Sequence, residues 1–94
     1  MRKITKEVVE ALLNYKNYSK GNTTIKFNGL VSEMYLHGNC IARYNPNGLE
    51  INHQGKLTNT TKERLNGLPG VNIQAINGVW YLNGKEMLNG WNKV

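Results

Sequence analysis

The sequence contains no aspartate, so all six of its acidic residues are glutamates. Asparagine takes the polar turn positions that aspartate usually shares with it, and six of the ten glycines directly follow an asparagine. Hydrolases that use a pair of carboxylates need two acids held together, whereas these glutamates are scattered over expected helix faces and strand ends. We therefore expect no catalysis by paired carboxylates.

Cysteine is equally scarce, because Cys40 is the only one. An intramolecular disulfide and a zinc site built from several thiolates are both excluded. His37, Cys40 and His53 are too few for the usual tetrahedral metal site. Cys40 lies beside Ile41-Ala42 in a predicted apolar strand, where a free cysteine is usually buried and unreactive rather than an activated nucleophile. Most of the glycines lie in Asn-Gly turns, and none belongs to a phosphate-binding motif. The sequence thus predicts a protein that is not an enzyme and has no metal or cofactor.

Long apolar segments are also missing. No stretch approaches the roughly 18 apolar residues that a membrane span needs, and no apolar segment follows the basic residues at the N-terminus. We expect a cytoplasmic protein.

A length of 94 residues fits a single domain, which we place at residues 1–94. The net charge is +6, and half of the twelve lysines and arginines lie in the first 26 residues. In that segment only Glu7 and Glu10 oppose six basic residues, for a local balance of +4. This asymmetry favours an acidic partner, either nucleic acid or an acidic protein surface.

The first predicted element is an N-terminal helix. Thr5 is a suitable N-cap, and Val8, Ala11, Leu12 and Tyr15 follow at the spacing of one apolar stripe. Residues 16–22 lack any period and are rich in turn formers, so we predict a basic loop there.

Four short strands are predicted after this loop. They are separated by two to four turn residues, which is too short for parallel crossovers and therefore indicates an antiparallel meander. The predicted strands cover residues 23–27, 30–36, 40–44 and 49–52.

A second helix is predicted from a capping box in which Thr60 is the N-cap and Glu63 follows three residues later. Leu65 and Leu68 are its expected buried residues. Two further strands, residues 71–76 and 79–82, flank an Asn-Gly pair that favours a type I′ hairpin. The predicted fold is α+β in the order α-β-β-β-β-α-β-β, with both helices on one face of a mostly antiparallel sheet.

Candidate binding residues lie in the basic N-terminal segment, in the sheet and in the aromatic C-terminal part. In the last hairpin Trp80 and Leu82 face one side and Val79 and Tyr81 the other, so one pair is buried and the other is at least partly exposed. Exposed aromatic and basic side chains can anchor a protein partner or stack and pair with nucleic acid. The predicted binding residues are Lys16, Tyr18, Lys20, Lys26, Arg43, Tyr81 and Trp91.

Several segments resemble a widespread family of small phage and prophage proteins. The resemblance is carried by residues 35–42 (YLHGNCIA), 60–71 (TTKERLNGLPGV) and 80–84 (WYLNG), and by the closing Gly90-Trp91. It implies a phage protein that acts in the bacterial cytosol. Small phage proteins without catalytic groups commonly bind host machinery stoichiometrically.

The leading hypothesis is therefore a non-enzymatic phage accessory protein that binds a bacterial host protein or nucleoprotein complex. Inhibition of a defence system, as by an anti-CRISPR protein, is the expected effect. Direct nucleic-acid binding and sequestration of a small nucleotide are the alternatives.

Overall fold

The structure, a computed structural model, describes residues 2–94 and contains two helices and nine strands in that range. The helices are α1 (Lys3–Leu13) and α2 (Asn59–Asn66). The strands are β1 (Tyr18–Lys20), β2 (Thr23–Phe27), β3 (Ser32–Leu36), β4 (Asn39–Asn45), β5 (Gly48–Ile51), β6 (Ile73–Ile76), β7 (Val79–Leu82), β8 (Lys85–Glu86) and β9 (Asn92–Lys93). Neither described helix is long and apolar enough to cross a membrane.

The strands form two antiparallel sheets. Six strands pair in the order β1-β2-β3-β4-β5-β9, and three pair in the order β6-β7-β8. The predicted α+β class with antiparallel pairing is confirmed. The prediction of one sheet was wrong, because β9 returns from the C-terminal end of the chain to the edge of the first sheet while β6–β8 pair among themselves.

Two-residue turns set the register of the hairpins. Asn77 and Gly78 have φ values of 52° and 78°, the left-handed pair that a type I′ turn requires, which confirms the predicted hairpin. His37 with Gly38, at 50° and 81°, makes the corresponding turn between β3 and β4. His37 therefore serves the turn that the sequence indicated.

Both helices lie on one face of the six-stranded sheet. The inward side chains Ile25, Met34 and Ile51 are buried with Val8 and Leu12 of α1 in one hydrophobic core. The smaller sheet contributes to the same core, through the residues Ile73, Trp80 and Leu82. Because side chains alternate along a strand, the charged side chains of β2, β3, β4, β5 and β9 lie on the opposite face of the large sheet.

A buried arginine joins the two helices to the sheet. Arg64 of α2 is 1% exposed and donates hydrogen bonds to Thr5 Oγ1 at 2.8 Å and to Thr23 Oγ1 at 3.1 Å. Its guanidinium also pairs with Glu63, which accepts a further hydrogen bond from Thr5. A fourth acceptor, Asn22 Oδ1, lies 3.3 Å from Arg64 Nη2. We call Arg64 and these four partners the inner cluster.

The inner cluster corrects the predicted start of α1. The helix begins at Lys3 with Arg2 as its N-cap, and no side chain caps it. Thr5 is buried inside the helix and bonds to Arg64 and Glu63. The apolar stripe at Val8, Ala11 and Leu12 is confirmed. Tyr15 lies beyond the helix end with φ 56° and packs on Phe27 and Tyr44, with ring centroids 5.3 Å and 5.6 Å away.

The predicted capping box of α2 was also wrong. Thr58 is the N-cap, and its side chain accepts a hydrogen bond from the Thr61 amide at 3.2 Å. Glu63 does not turn back to the helix start, because Thr5 and Arg64 engage its carboxylate. Leu65 and Leu68 are buried as predicted, together with Thr61 and Arg64.

The strand boundaries were predicted with mixed success. The bounds predicted for β2 and β7 are confirmed, whereas β3 and β6 each begin two residues later than predicted. The predicted loop 16–22 contains β1, because the two residues Gly21 and Asn22 turn the chain back so that β1 pairs with β2. Sequence reasoning missed β8 and β9, which are two residues each.

Candidate interaction surface

The outer face of the six-stranded sheet carries a row of alternating charges. Cross-strand partners share a face, and here they link Lys26 to Glu33, Glu33 to Arg43, Arg43 to Glu50 and Glu50 to Lys93. These five residues, one on each of β2, β3, β4, β5 and β9, are called the charged row. Their signs alternate from strand to strand, with basic residues at both ends and at the centre.

The centre of the charged row is ordered by an aromatic ring and an ion pair. Arg43 Nε lies 2.8 Å from Glu50 Oε1, and the Arg43 guanidinium carbon lies 4.0 Å from the centroid of the Trp91 ring. This distance places the guanidinium over the ring as a cation–π contact. Trp91 is half-buried, so its indole combines a fixed position with access to solvent.

A second ring lies near the β2 end of the row. The Lys26 ammonium is 5.1 Å from the centroid of the Tyr35 ring, and Tyr35 donates a hydrogen bond of 3.2 Å to Glu33. Burial, and then the neighbouring Cys40 and Glu33, raise the pKa of the Tyr35 phenol, so it remains a neutral donor at physiological pH. The outer face thus presents two aromatic rings, each with a cation against it.

Three of the seven predicted binding residues meet on this face, namely Lys26, Arg43 and Trp91. Three others lie near α1. Tyr18 donates to Glu7 at 2.5 Å, Lys20 pairs with Glu7 at 2.9 Å, and Lys16 is exposed beside them. These bonds to Tyr18 and Lys20 lower the pKa of Glu7. Tyr18 and Lys20, two of the predicted binding residues, therefore share the Glu7 carboxylate of the same chain. This ion pair reduces the positive charge that the segment offers to a partner.

The seventh predicted residue, Tyr81, lies on β7 of the smaller sheet. Trp80 and Leu82 are buried there, while Val79 and Tyr81 are half-buried, as the predicted alternation requires. Tyr81 pairs across the sheet with Gln74 and Glu86 and is not part of the charged row.

Sequence reasoning missed Glu33, Tyr35, Glu50 and Lys93 as members of the surface. For Glu50 a signal was available, because Arg43 and Glu50 stand symmetrically about the turn at residues 46–47, which makes them cross-strand partners in a hairpin. Lys26 and Glu33 are placed in the same way about the connection between β2 and β3 at residues 28–31. Lys93 had no such signal, since β9 pairs with β5 across about forty residues of chain.

The cysteine of the outer face is not poised for chemistry. Burial, and then the Glu33 carboxylate, raise the pKa of Cys40 to about 11, so its thiol is protonated at physiological pH. His53 lies elsewhere, where its ring meets Trp80 edge-on at 5.9 Å and burial lowers its pKa. Within residues 2–94, no three His, Cys, Asp or Glu side chains converge as a metal site would require.

A family model described as Kyanoviridae Gp96 protein matches residues 1–93. The chain belongs to this phage protein family. The Gp96 match confirms that the chain is a phage protein, as the resemblance implied, while the segments that carried the resemblance stay predictions. Comparison with curated proteins and with solved structures gave no significant match.

In this Gp96-family chain, the outer face has the chemistry of a recognition surface. Tryptophan, tyrosine and arginine are the residues most enriched among those that dominate binding energy. The charged row adds an alternating pattern of charge across five strands, and such a pattern discriminates between orientations of a charged molecule placed against it.

Proposed function

We propose that this phage protein is a non-enzymatic accessory protein that binds a bacterial host protein or nucleoprotein complex stoichiometrically in the host cytosol. The carrying observation is the outer face, where Trp91, Arg43 and Glu50 form an ordered aromatic and ionic centre that no described helix covers. Ordered aromatic and arginine side chains bind with less loss of side-chain freedom than mobile ones.

The proposed effect of binding is inhibition. A chain of 94 residues that occupies a functional surface of a host defence or nucleic-acid-handling complex blocks it without chemistry. This is the anti-CRISPR type of action. The raised pKa of Cys40 and the scattered glutamates are consistent with a role that needs no catalytic group.

The test is capture from host lysate with a lysine-reactive crosslinker, followed by mass spectrometry. Lys26 and Lys93 report on the outer face, and the exposed Lys16 reports on the region beside α1. We expect host peptides attached to Lys26 or Lys93, and we expect Lys26→Glu to reduce the crosslinks at Lys93 while the matched variant Lys16→Glu does not. Crosslinks confined to Lys16, or Lys93 crosslinks that are unchanged by Lys26→Glu, would contradict the proposal.

Direct nucleic-acid binding is a second candidate, favoured by the two ring–cation pairs on an exposed sheet. Bases stack on such rings, and the cations contact phosphates. This candidate predicts a mobility shift of a twelve-nucleotide oligothymidine that weakens steeply with added salt. Absence of a shift at low salt would remove it.

A further inference from the structure

We propose that the occupant of the outer face is an acidic protein segment that lies across the strands, with one carboxylate on Lys26 and another on Lys93. This inference rests on the proposed function and names the chemistry of the partner. Three features of the charged row support it: the free charges at its ends, the glutamates between them, and the ring at its centre.

The free positive charge lies at the two ends of the row. Arg43 is ion-paired with Glu50, whereas no carboxylate among residues 2–94 lies within 4.0 Å of the Lys26 or Lys93 ammonium. Both lysines are exposed. A partner gains most by placing one acid at each end.

The separation of these lysines defines the spacing of the acids. Lys26 and Lys93 are four strand spacings apart, which is about 19 Å at roughly 4.8 Å per spacing. In an extended segment this is about six residues at roughly 3.3 Å each, an even number that keeps both acids on one side. In a helix, residues 11 or 14 apart share a face and are separated by about 16 or 21 Å. An extended segment matches the spacing more closely.

The glutamates of the row favour a protein over a nucleic acid. Glu33 and Glu50 lie between the basic residues, so an evenly charged phosphate backbone along the row would meet two carboxylates. A protein segment can place neutral or basic side chains opposite them. It can also place an apolar side chain against the Trp91 ring at the centre.

The experiment uses the full chain labelled with nitrogen-15 and reads the backbone and Trp91 indole signals during titration. The main probe is a seven-residue peptide with glutamate at positions 1 and 7, leucine at positions 3 and 5 on the same side of the extended chain, and serine elsewhere. Its control has the same composition with both glutamates at one end, which cannot span the row. The other probes are an alanine-rich helix with glutamates 14 residues apart and a twelve-nucleotide oligothymidine.

We expect the main probe to shift the signals of the charged row and the Trp91 indole, and to bind about tenfold more tightly than its control. Lys26→Ala and Lys93→Ala should each weaken binding about fivefold, while Lys6→Ala, at an exposed lysine of α1, should leave it unchanged. Tighter binding by the helical probe than by the extended one also supports the proposal, since it keeps the acids and changes only the backbone.

Three results would overturn the proposal. Oligothymidine could bind more tightly than either peptide, with Glu33→Lys strengthening it, which would identify nucleic acid as the occupant. The chain could form a salt-sensitive dimer in sedimentation equilibrium that Lys26→Glu dissociates, which would identify a second copy. Finally, all the acidic probes could leave the signals of the charged row unchanged. If host proteins still crosslink to Lys26 in that case, the acidic-segment proposal fails and the proposed function stands.

Discussion

Two arginines, each beside a glutamate, occupy opposite sides of the same sheet. Arg64 is 1% exposed at its side chain and its partner Glu63 is 28% exposed, whereas Arg43 and Glu50 are 39% and 31% exposed. Arg64 donates to side chains of α1, of β2 and of its own helix. Arg43 contacts Glu50 on the next strand and the ring of Trp91.

The comparison shows how burial assigns different roles to similar ion pairs. A buried charge has lost its water, so each of its partners is needed to keep it in the fold. A half-exposed pair keeps much of its hydration and adds little to stability, which leaves its groups free to exchange partners. The inner cluster therefore holds the fold together, and the charged row is the part that a ligand can use.

The largest expected effect on stability comes from removing Arg64, the buried arginine of the inner cluster. Arg64→Ala should lower the free energy of unfolding by about 3–5 kcal/mol, because it removes the ion-pair partner of Glu63 and the donor to the hydroxyl oxygens of Thr5 and Thr23. Urea unfolding measures this loss. Arg64→Lys restores the charge without the planar fork and should recover only part of the stability. A loss below about 1 kcal/mol for Arg64→Ala would remove the distinction from a surface pair.

The next effect tests how closely the helices approach at the inner cluster. A Cβ atom on Gly67 would overlap the Thr5 methyl group and lie 3.3 Å from Val9 Cγ2. The Thr5 side chain cannot rotate away, since its hydroxyl is bonded to Arg64 and Glu63. Gly67→Ala should therefore cost about 1–3 kcal/mol by overpacking, although alanine favours the helical backbone found there.

The control for Gly67→Ala removes the obstructing methyl. Thr5→Ser keeps the hydroxyl and deletes the methyl group, so Gly67→Ala should cost less in that background than in the native chain. Equal costs in both backgrounds would show that the two side chains do not compete for the same space.

A smaller effect separates the true helix cap from the predicted one. Thr58→Ala should cost about 1 kcal/mol, because it removes the acceptor of the Thr61 amide. Thr60→Ala at the predicted cap should cost less than half of that. Chemical denaturation of the two variants provides the comparison, and a larger loss for Thr60→Ala would restore the predicted capping box.

Features set by residues close in sequence were predicted correctly, whereas features set by residues far apart in sequence were not. Turns and the stripe at Val8, Ala11 and Leu12 are local patterns, and the structure has them as predicted. Thr5 and Glu63 were misassigned because each matches a local capping pattern, while the interaction that decides their position comes from Arg64. Sequence distance alone hides such a contact, since Thr5 and Arg64 are 59 residues apart.

The same limit applies to the candidate surface. Lys26, Arg43 and Trp91 were selected by residue type, and residue type alone does not separate them from Lys16, Tyr18 and Lys20. The two groups are distinguished by Glu7, which binds Tyr18 and Lys20, and by the return of β9 to the edge of the sheet. Both are long-range outcomes of folding.

The smallest expected effect on stability comes from removing Arg43, the half-exposed arginine of the charged row. Arg43→Ala should change the free energy of unfolding by less than about 1 kcal/mol, because the ion pair with Glu50 is half-exposed and the contact with Trp91 faces solvent. The same variant should release the indole ring, which is measured as a fall in the steady-state fluorescence anisotropy of Trp91 in a Trp80→Phe background. Arg43→Lys keeps the charge but loses the planar stacking, so it should release the ring as well.

Salt distinguishes the two arginines more sharply than either variant alone. At about 1 M salt the Debye length falls to roughly 3 Å, which screens the exposed pair far more than the buried one. The stability difference between native chain and Arg43→Ala should therefore shrink towards zero in high salt, while that for Arg64→Ala persists. If both differences shrank together, burial would not explain why Arg64 matters more for stability than Arg43. The contrast between a stabilising inner cluster and an outer face available for binding would then be wrong.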